Sequence, residues 1–280
     1  MMRSLWSAAS GMTAQQTNLD TISNNLANVN TAGYKKSTAE FKSLLYQTLQ
    51  SQSTNNAGQN KPVPAQVGLG TRTAAITTVY TQGNMQAVDN NTYMGIEGAG
   101  FFKVRDADGN ICYTRDGSFN LQPTDEGTML CTSEGYPVLD QNNNPIIIPK
   151  EYKTDSITID TEGNIFVATA DNTKVALTAT ANGQTYNQKI GLAQFNNPAG
   201  LDSVGGNLYK ETAASGAPLE ETATQGLTRS KVHQGYLEMS NVQVADEMVN
   251  MIVAQRAYEM NSKAIQASDE MLQQANNLRG

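Results

Sequence analysis

The residues that most often carry chemistry are few in this sequence. It has one histidine, His233, and two cysteines, Cys112 and Cys131, which are too few for a histidine-rich or four-thiolate zinc site. The cysteines fall on neighbouring predicted strands, where they could form a disulfide outside the cytoplasm or be buried as small apolar side chains. We interpret His233 as a surface or interface residue. Asp116 precedes a glycine, so we interpret it as a turn residue and not as a catalytic carboxylate.

Two short patterns resemble known binding loops only in part. Asp106, Asp108 and Asn110 are spaced like the first ligands of a calcium loop, but Ile111 stands where that loop needs glycine. The segment 98–100 begins like a dinucleotide-binding fingerprint, but a predicted strand follows where the fingerprint requires a helix. We therefore predict that the protein is not an enzyme and has no catalytic, cofactor-binding or metal-binding residues.

Composition narrows the classes of partner. The 280 residues include 19 basic and 26 acidic side chains, a formal charge of -7, which disfavours binding to nucleic acid or to an anionic membrane surface. No window of 18 residues is apolar throughout, so we expect no insertion into a lipid membrane. The N-terminus lacks a continuous apolar core followed by small residues, so we expect no cleaved signal peptide.

A long helix is predicted at the C-terminal end. No glycine or proline lies between residues 235 and 280, and apolar residues recur there every seven positions. These residues are Leu237, Val244, Met251, Tyr258, Ile265 and Leu272, with Met248 and Ile252 widening the stripe. The complementary positions of the repeat are Gln255, Ser262 and Asp269. Because these three are polar, the stripe is narrow. Ser240 and Gln243 match a capping box at the start of this helix.

The N-terminal end repeats the pattern. Apolar residues seven apart are Leu5, Met12, Leu19 and Leu26, and the positions between them hold Ala8, Ile22 and Val29. We predict a helix from about residue 3 to 29, ended by the turn signals of residues 30–33. Four asparagines lie within it, at positions 18, 24, 25 and 28. Because asparagine is a mediocre helix former, this helix needs a partner surface.

The two stripes allow two interpretations. In one, the terminal helices form an antiparallel pair that caps a β domain in an ordinary monomer. In the other, which we favour, both stripes are association surfaces, because one narrow seam buries too little apolar area to offset the entropy of ordering both ends. The predicted assembly residues are Leu5, Met12, Leu19, Ile22, Leu26, Val29, Val244, Met248, Met251, Tyr258, Ile265 and Leu272.

The middle of the chain is predicted to be β. Short apolar runs alternate with turn signals between residues 93 and 195, at the spacing typical of a small antiparallel sandwich or barrel. Alternating isoleucine and valine on either side of Glu162-Gly163 predict a hairpin there. Residues 34–50 form a further amphipathic piece. Residues 51–70 are rich in glycine, proline and small polar residues, so we interpret them as an extended or mobile segment.

Longer motifs then resemble one family. The run 23–35 contains Asn24, Asn25, Leu26, Asn28, Gly33 and Tyr34, and the run 255–259 contains Arg256 and Tyr258. Further motifs lie in chain order at residues 3–6, 41–48, 98–102, 113–119, 206–209 and 234–238. Together they span nearly the whole chain. They resemble the motifs of the bacterial flagellar rod and hook axial proteins, and those of the distal rod members most of all.

The resemblance implies an α+β fold. It consists of a discontinuous coiled-coil domain, built from the N- and C-terminal helices, and a central all-β domain. The implied domains are residues 1–33 with 238–280 as the inner tube, 34–90 with 205–237 as a connecting region containing a rod-specific extended segment at 46–70, and 91–204 as the outer β domain.

The resemblance also implies a function and partners. The chain would be a structural subunit of the distal rod, a straight helical tube that transmits torque and encloses the export channel. It would leave the cell unfolded through the flagellar type III export apparatus, without a cleaved signal peptide. Its site would be the basal body in the cell envelope, in the periplasm or cell wall space. Its partners would be its own copies, other rod proteins, the hook protein and, in a host with an outer membrane, the rings around the rod.

Two alternatives stay open at this point. Within the same family, the chain could be a proximal rod or hook subunit, which the shape of purified polymers would distinguish. From another class, it could be an envelope enzyme such as a peptidoglycan hydrolase, which a zymogram would reveal. The absence of a nucleophile–base pair or metal-ligand set in the sequence argues against the enzyme.

Overall fold

The structure is a computed structural model, and it describes residues 2–50, 65–125, 127–152, 157–168, 173–181, 184–222 and 226–277. The chain divides into two compact units. The first, here called the helical unit, comprises Met1–Ala27, Ser37–Val79 and Gln243–Gly280. The second, here called the β unit, comprises Asn28–Lys36 and Tyr80–Val242. Long helices in one unit and strands in the other confirm the α+β class. The three-part domain division stays a prediction.

Two helices dominate the helical unit. Helix α1 spans Met2–Ala27 and α2 spans Val244–Asn277, about 39 and 51 Å at 1.5 Å per residue. Both predicted terminal helices are therefore confirmed. The predicted capping box at Ser240 is wrong, because the amide of Glu247 donates to the Gln243 carbonyl at 3.0 Å, which makes Gln243 itself the N-cap residue. The first turn of α2 carries Asp246 and Glu247, whose charges favour a helix N-terminus.

The two helices pack side by side in antiparallel directions. The hydroxyl of Ser4 lies 3.3 Å from that of Ser268, and the Asn25 amide donates to the Glu247 carboxylate at 3.3 Å. Between these pairs, Gly11 faces Asn261 so closely that a Cβ on Gly11 would lie 2.9 Å from the Asn261 amide nitrogen. The contacts follow a seven-residue interval on both helices, so the same face of each helix meets its partner along its length.

Two β ribbons complete the helical unit. Strand β1 (Ser37–Ser43) pairs with β4 (Thr71–Thr78), with a bulge between Glu40 and Phe41. Strand β2 (Tyr46–Gln50) pairs with β3 (Ala65–Gly68). The amphipathic piece predicted at residues 34–50 is thus built from strands. Residues 51–64 of the predicted extended segment lie outside the described residues.

The β unit contains eighteen short strands among its described residues. They are β5 Met85–Ala87, β6 Met94–Glu97, β7 Phe101–Arg105, β8 Ile111–Thr114, β9 Asn120–Pro123, β10 Gly127–Cys131, β11 Ile147–Pro149, β12 Thr158–Ile159, β13 Ile165–Ala168, β14 Lys174–Ala176, β15 Thr178–Ala181, β16 Gln184–Asn187, β17 Leu192–Gln194, β18 Asp202–Gly205, β19 Leu208–Lys210, β20 Leu219–Glu220, β21 Lys231–Gln234 and β22 Tyr236–Glu238. All their pairings are antiparallel, which confirms the β prediction for this region.

Short sheets surround the hydrophobic residues buried in this unit. The largest sheet has six strands in the order β18-β19-β8-β7-β17-β20. Two three-stranded sheets, β11-β10-β9 and β12-β13-β14, and three pairs, β15-β16, β21-β6 and β22-β5, complete it. The predicted hairpin is confirmed, because Ile159 pairs with Ile165 across Gly163, which has φ +83°. Such a positive φ favours glycine.

The core also answers the question about the cysteines. Cys112 and Cys131 are both buried free thiols, and burial raises the pKa of each. Of the two uses that the sequence left open, the described structure realises burial as small side chains. A second, aromatic cluster contains Phe101, Tyr113 and Tyr209 together with Phe195, whose rings meet edge to face.

Candidate assembly surface

Helix α2 is buried where it is polar or small. Among the residues described on this helix, those buried are Glu247, Ala254 and Ser268, spaced seven and fourteen residues apart on the side that faces α1. Asn261, between them, faces Gly11. The polar complementary positions predicted at residues 255, 262 and 269 are therefore wrong by one residue, since the contacting positions are 254, 261 and 268. Ala254 and Ser268 on α2, and Gly11 opposite Asn261, are small residues that let the two helices approach closely.

The opposite side of α2 exposes several large apolar side chains. It carries Met248, Val249, Ile252, Val253 and Met260. Each of these side chains is more than half exposed, and Val253 and Met260 reach 62% and 65%. Single exposed apolar residues are common, but five within thirteen residues of one helix are a concentration of exposed apolar side chains. We call it the α2 patch. A helix that buries polar groups and exposes apolar ones is typical of a subunit whose second contact lies on another chain.

The predicted assembly residues fall into three groups by exposure. Ile22 is buried. Those half-buried are Leu5, Met12, Leu19, Leu26, Val29, Met251, Ile265 and Leu272. Those exposed are Val244, Met248 and Tyr258. Most of the predicted residues thus lie along the edges of the α1–α2 contact. Their side chains are only partly covered there, so part of their surface is available for further contacts. Val249, Val253 and Met260 belong to the same exposed surface and were missed, because they lie outside the register of the stripe that runs through Val244, Met251 and Tyr258.

One signature asparagine anchors the end of α1. The Asn25 side chain, 2% exposed, donates to the Ser37 carbonyl at 2.8 Å and accepts from the Ser37 amide at 2.9 Å. Its nitrogen also lies 3.3 Å from the buried Glu247 carboxylate. Asn25 therefore fastens α1 to the start of β1 and to α2. A buried amide that makes these bonds explains why a poor helix former stands in this helix.

The other signature residues have simpler surroundings. Asn24 is exposed on α1 and Leu26 is half-buried, while Asn28 accepts a hydrogen bond from the Thr31 hydroxyl at 3.2 Å. On α2, Arg256 forms an exposed ion pair with Glu259 at 3.1 Å, and Tyr258, which lies between them in the sequence, is also exposed. Exposed ion pairs of this kind stabilise a helix only slightly.

Gly33 occupies a place that only glycine fits. It is buried with φ +70°, and a Cβ on it would lie 2.5 Å from the backbone nitrogen of Asp116. Its own amide donates to the Glu238 carbonyl at 2.8 Å. Tyr34 follows and is half-buried. The segment after α1 thus runs directly against strands of the β unit.

A buried cluster of three charges lies at the same place in the β unit. Glu238 accepts from Lys35 Nζ at 2.6 Å and from Arg115 Nη1 at 3.1 Å, and all three side chains are at most 2% exposed. Lys35 donates also to the Thr81 carbonyl, and Arg115 to the Gly98 carbonyl. Burial lowers the pKa of Lys35, and the Glu238 carboxylate opposes this shift.

This cluster was missed at the sequence level. Lys35, Arg115 and Glu238 stand inside the motifs that carry the family resemblance, but nothing in the spacing indicates that residues so far apart meet. Each of the three charged residues stands in a motif whose other residues are mostly apolar or small. This is a weak indication of burial, and it can be recognised only once the structure is known. Among the residues that the structure describes, no cluster of histidine, cysteine or acidic side chains could hold a metal ion. In that same part, no helix is long and apolar enough to cross a membrane.

Comparison with known proteins identifies the family. Three family models match in chain order: flagella basal body rod protein at residues 5–35, flagellar hook protein FlgE/F/G D1 domain at 95–167, and flagellar basal body rod FlgEFG protein C-terminal at 233–278. The flagellar basal-body rod protein FlgG of Borreliella burgdorferi is 50% identical over 100% of this chain and 99% of its own length. The chain belongs to the FlgG family of flagellar basal-body rod proteins. The FlgG of Bacillus subtilis is 38% identical over the full length of both chains.

Membership makes the chain a structural rod protein, as the sequence predicted, and not an enzyme. It also gives the buried charge cluster a place in the family. Lys35 lies in the first matched segment, Arg115 in the second and Glu238 in the third. The cluster therefore joins one residue from each family segment of this rod protein. A more distant relative, the flagellar hook-basal body complex protein FlhP of Bacillus subtilis, is 32% identical over the whole chain.

Proposed function

We propose that this rod protein is a subunit of the flagellar distal rod, and that its copies polymerise into a straight helical tube that transmits torque and encloses the export channel. The α2 patch is the observation that carries the proposal. Within the subunit, α2 contacts α1 mainly through small and polar residues. Most of the apolar surface of α2 therefore remains available for contact with neighbouring copies. Membership of the FlgG family supports the same assignment.

In the proposed tube, α1 and α2 of each subunit form a coiled coil in the inner layer and the β unit faces outward. The seven-residue interval of the α1–α2 contacts supports this pairing. Neighbouring subunits then contact the α2 patch together with residues of the predicted stripes. These residues are Leu5, Met12 and Leu19 on α1 and Tyr258, Ile265 and Leu272 on α2. A closed helical lattice carries torque because each copy contacts several others.

The terminal helices order fully only during assembly in this account. The residues that α2 buries against α1 are a carboxylate, an alanine and a serine, which contribute little of the roughly 1.5–3 kcal/mol that a large apolar side chain would give. Ordering the backbone costs about 1–2 kcal/mol per residue. Coupling of folding to binding suits a chain that is exported unfolded and polymerises at the growing tip.

The proposed partners follow from this position. They are further copies of the chain, other rod proteins, the hook protein and the flagellar type III export apparatus, with surrounding rings where the host has an outer membrane. The proposed site is the basal body in the cell envelope, in the periplasm or cell wall space, reached without a cleaved signal peptide. The proposal includes no nucleic-acid partner and no insertion into lipid.

A second candidate is a proximal rod or hook subunit of the same family. The chain is also similar to FlhP, which is named as a hook-basal body complex protein, and this similarity is the reason for retaining the second candidate. The form of the polymer separates the two. Electron microscopy of tubes grown from the purified chain is expected to show straight, rigid filaments. Curved filaments would favour the hook assignment, and short oligomers that never elongate would favour the proximal rod.

Substitution in the α2 patch tests the surface itself. Ile252→Asp places a charge in the middle of the patch, and we expect it to abolish elongation while the unfolding free energy of the monomer stays within about 0.5 kcal/mol. Gln266→Asp adds the same charge at an exposed polar position of α2 and should still polymerise. If Ile252→Asp formed normal tubes, the α2 patch would not be part of the interface between subunits.

A further inference from the structure

A buried lysine in the β unit lies beside a carboxamide and a carboxylate. Lys103, the third residue of β7, is 2% exposed. Its Nζ donates to Asn143 Oδ1 at 2.7 Å and to Glu220 Oε1 at 3.0 Å. The carbonyl of Gln141 accepts a third, longer bond of 3.3 Å. The proposed function uses none of these groups, so their arrangement requires its own explanation.

The asparagine is held in place from both sides. Asn143 has φ +63°, a conformation that asparagine tolerates better than most residues, and its amide donates to the Asp140 carbonyl at 3.1 Å. The Arg105 guanidinium donates to the Asn143 carbonyl at 2.6 Å. The buried Asp140 carboxylate accepts from the amides of Asn142 and Asn144 at 2.7 and 2.9 Å. The loop therefore presents the Asn143 side chain rigidly to the lysine.

The reacting atoms lie within reach of each other. The carbon of the Asn143 carboxamide is one bond of about 1.2 Å beyond Oδ1, which places it at most about 3.9 Å from Lys103 Nζ. Productive attack distances are about 3–3.5 Å. The strand that carries Lys103 is fixed as well, because its carbonyl accepts from Leu139 at 2.9 Å and its amide donates to Gly191 at 3.2 Å. A small side-chain movement would bring nitrogen and carbon into contact.

We propose that Lys103 and Asn143 become joined by an intramolecular isopeptide bond. Glu220 takes a proton from the lysine ammonium, and the free amine attacks Cγ of Asn143 to form a tetrahedral intermediate. Glu220 returns this proton to the side-chain nitrogen of Asn143, the bond between Cγ and that nitrogen breaks, and ammonia departs. The second proton of the attacking nitrogen, which the neutral amide does not keep, then passes by way of Glu220 to the ammonia. One N–C bond forms and one breaks, ammonia leaves as the ammonium ion, and neither an oxidant nor a cofactor takes part.

The position of Glu220 suits the role of proton carrier. Its side chain is 40% exposed, whereas Lys103 is buried, so the carboxylate stands at the rim of the site. Ammonia can escape past it, and the reverse reaction is suppressed by dilution into solvent. The new bond would span residues 40 apart in the chain and tie β7 to the loop that follows Leu139. A covalent tie of this kind resists unfolding under load, as suits a torque-bearing tube.

Mass spectrometry of the full-length purified chain tests the proposal. After tryptic digestion we expect a branched peptide that joins Lys103 to Asn143, lighter than the sum of its parts by one ammonia, about 17 Da. Trypsin should not cleave after Lys103, because its amine is acylated. Unshifted peptide masses with cleavage after Lys103 would overturn the proposal and leave a buried ammonium ion held by three acceptors. Loss of ammonia from the asparagine peptide with cleavage after Lys103 intact would also overturn it.

Variants separate the reaction from the fold. Glu220→Gln removes the proton carrier at a partly exposed position, and we expect full mass and restored cleavage after Lys103 with an unchanged circular dichroism spectrum. Glu211→Gln alters an exposed carboxylate outside the cluster and should keep the cross-link. Lys103→Arg should abolish it. Cross-linked peptide in the Glu220→Gln chain at the wild-type yield would contradict the assigned role of Glu220.

Discussion

At the scale of single residues, buried polar groups fix where the chain passes from one segment to the next. Asn25 binds both backbone atoms of Ser37, just after α1. Glu238, just before α2, binds Lys35 and Arg115. Buried charges are stable only when paired and hydrogen-bonded, and here each has backbone partners in addition to the ion pair. Hydrogen bonds and ion pairs of buried polar groups thus fix the places where the chain passes between segments. Apolar side chains fill the core.

The charge balance of this cluster gives a ranked prediction. Glu238→Gln removes the carboxylate that Lys35 and Arg115 share, and we expect it to lower the unfolding free energy of the β unit by about 3–5 kcal/mol. Lys35→Met leaves Arg115 paired with Glu238 one to one, so its cost should be smaller. Urea unfolding followed by circular dichroism measures both. Equal costs, or a larger cost for Lys35→Met, would contradict the account of the cluster.

A second prediction at this scale concerns alkaline pH. Burial raises the pKa of Tyr209 from its ordinary value near 10 to about 12, so the folded protein holds a proton that the unfolded chain releases. This contribution is fully present below pH 10 and is lost as the pH rises through 10 to 12, by up to roughly 3 kcal/mol. Burial raises the pKa of Tyr113 as well.

Removing the hydroxyl group of Tyr209 tests this dependence of stability on pH. In Tyr209→Phe, the unfolding free energy of the β unit should fall less steeply between pH 10 and 12 than in the wild type. The difference between the two proteins isolates Tyr209 from every other group that titrates there. Parallel pH profiles for both chains would show that this side chain does not contribute.

At the scale of elements, α1 and α2 illustrate what a sequence pattern conveys. Both helices are predictable, because long stretches without proline combine with apolar residues every seven positions. The face that α2 turns to α1 is not, since the contacting residues include Ala254, Asn261 and Ser268, which look like ordinary surface residues in a sequence. Small side chains at a seam are recognisable only when the partner backbone is in place.

The ribbons and the charge cluster mark further limits of prediction. Residues 37–50 form strands through pairing with residues 65–78, so their structure depends on partners that a local pattern does not include. The β unit was predictable because glycine turns at regular spacing specify hairpins locally. Lys35, Arg115 and Glu238 meet across more than a hundred residues of chain, and no local property of any one of them indicates the others.

Overpacking of the α1–α2 contact tests the helix register. Ala254 is 1% exposed against α1, so Ala254→Leu should push the helices apart and weaken the pair by about 1–3 kcal/mol. Gln255→Leu adds a leucine at the next, exposed position and should leave the pair intact. Limited proteolysis of α1 and α2 in polymers of the two variants measures the effect. Equal resistance in both would contradict the assigned face.

At the scale of the whole molecule, the two units have different sources of stability. The β unit has its own apolar core and paired buried charges, so it should fold in an isolated subunit. The helical unit joins two long helices through small and polar residues and leaves the α2 patch exposed. In the proposed tube, neighbouring copies complete the apolar contacts that this unit leaves open.

Hydrogen exchange of the same chain as a dilute monomer and as a polymer tests this division most directly. We expect the amides of α1 and α2 to exchange quickly in the monomer and to become strongly protected in the polymer, with the region around Ile252 gaining most. The β unit core should be protected equally in both states. Slow exchange throughout α1 and α2 in the monomer, with no added protection on polymerisation, would contradict the claim that neighbouring copies complete the helical unit.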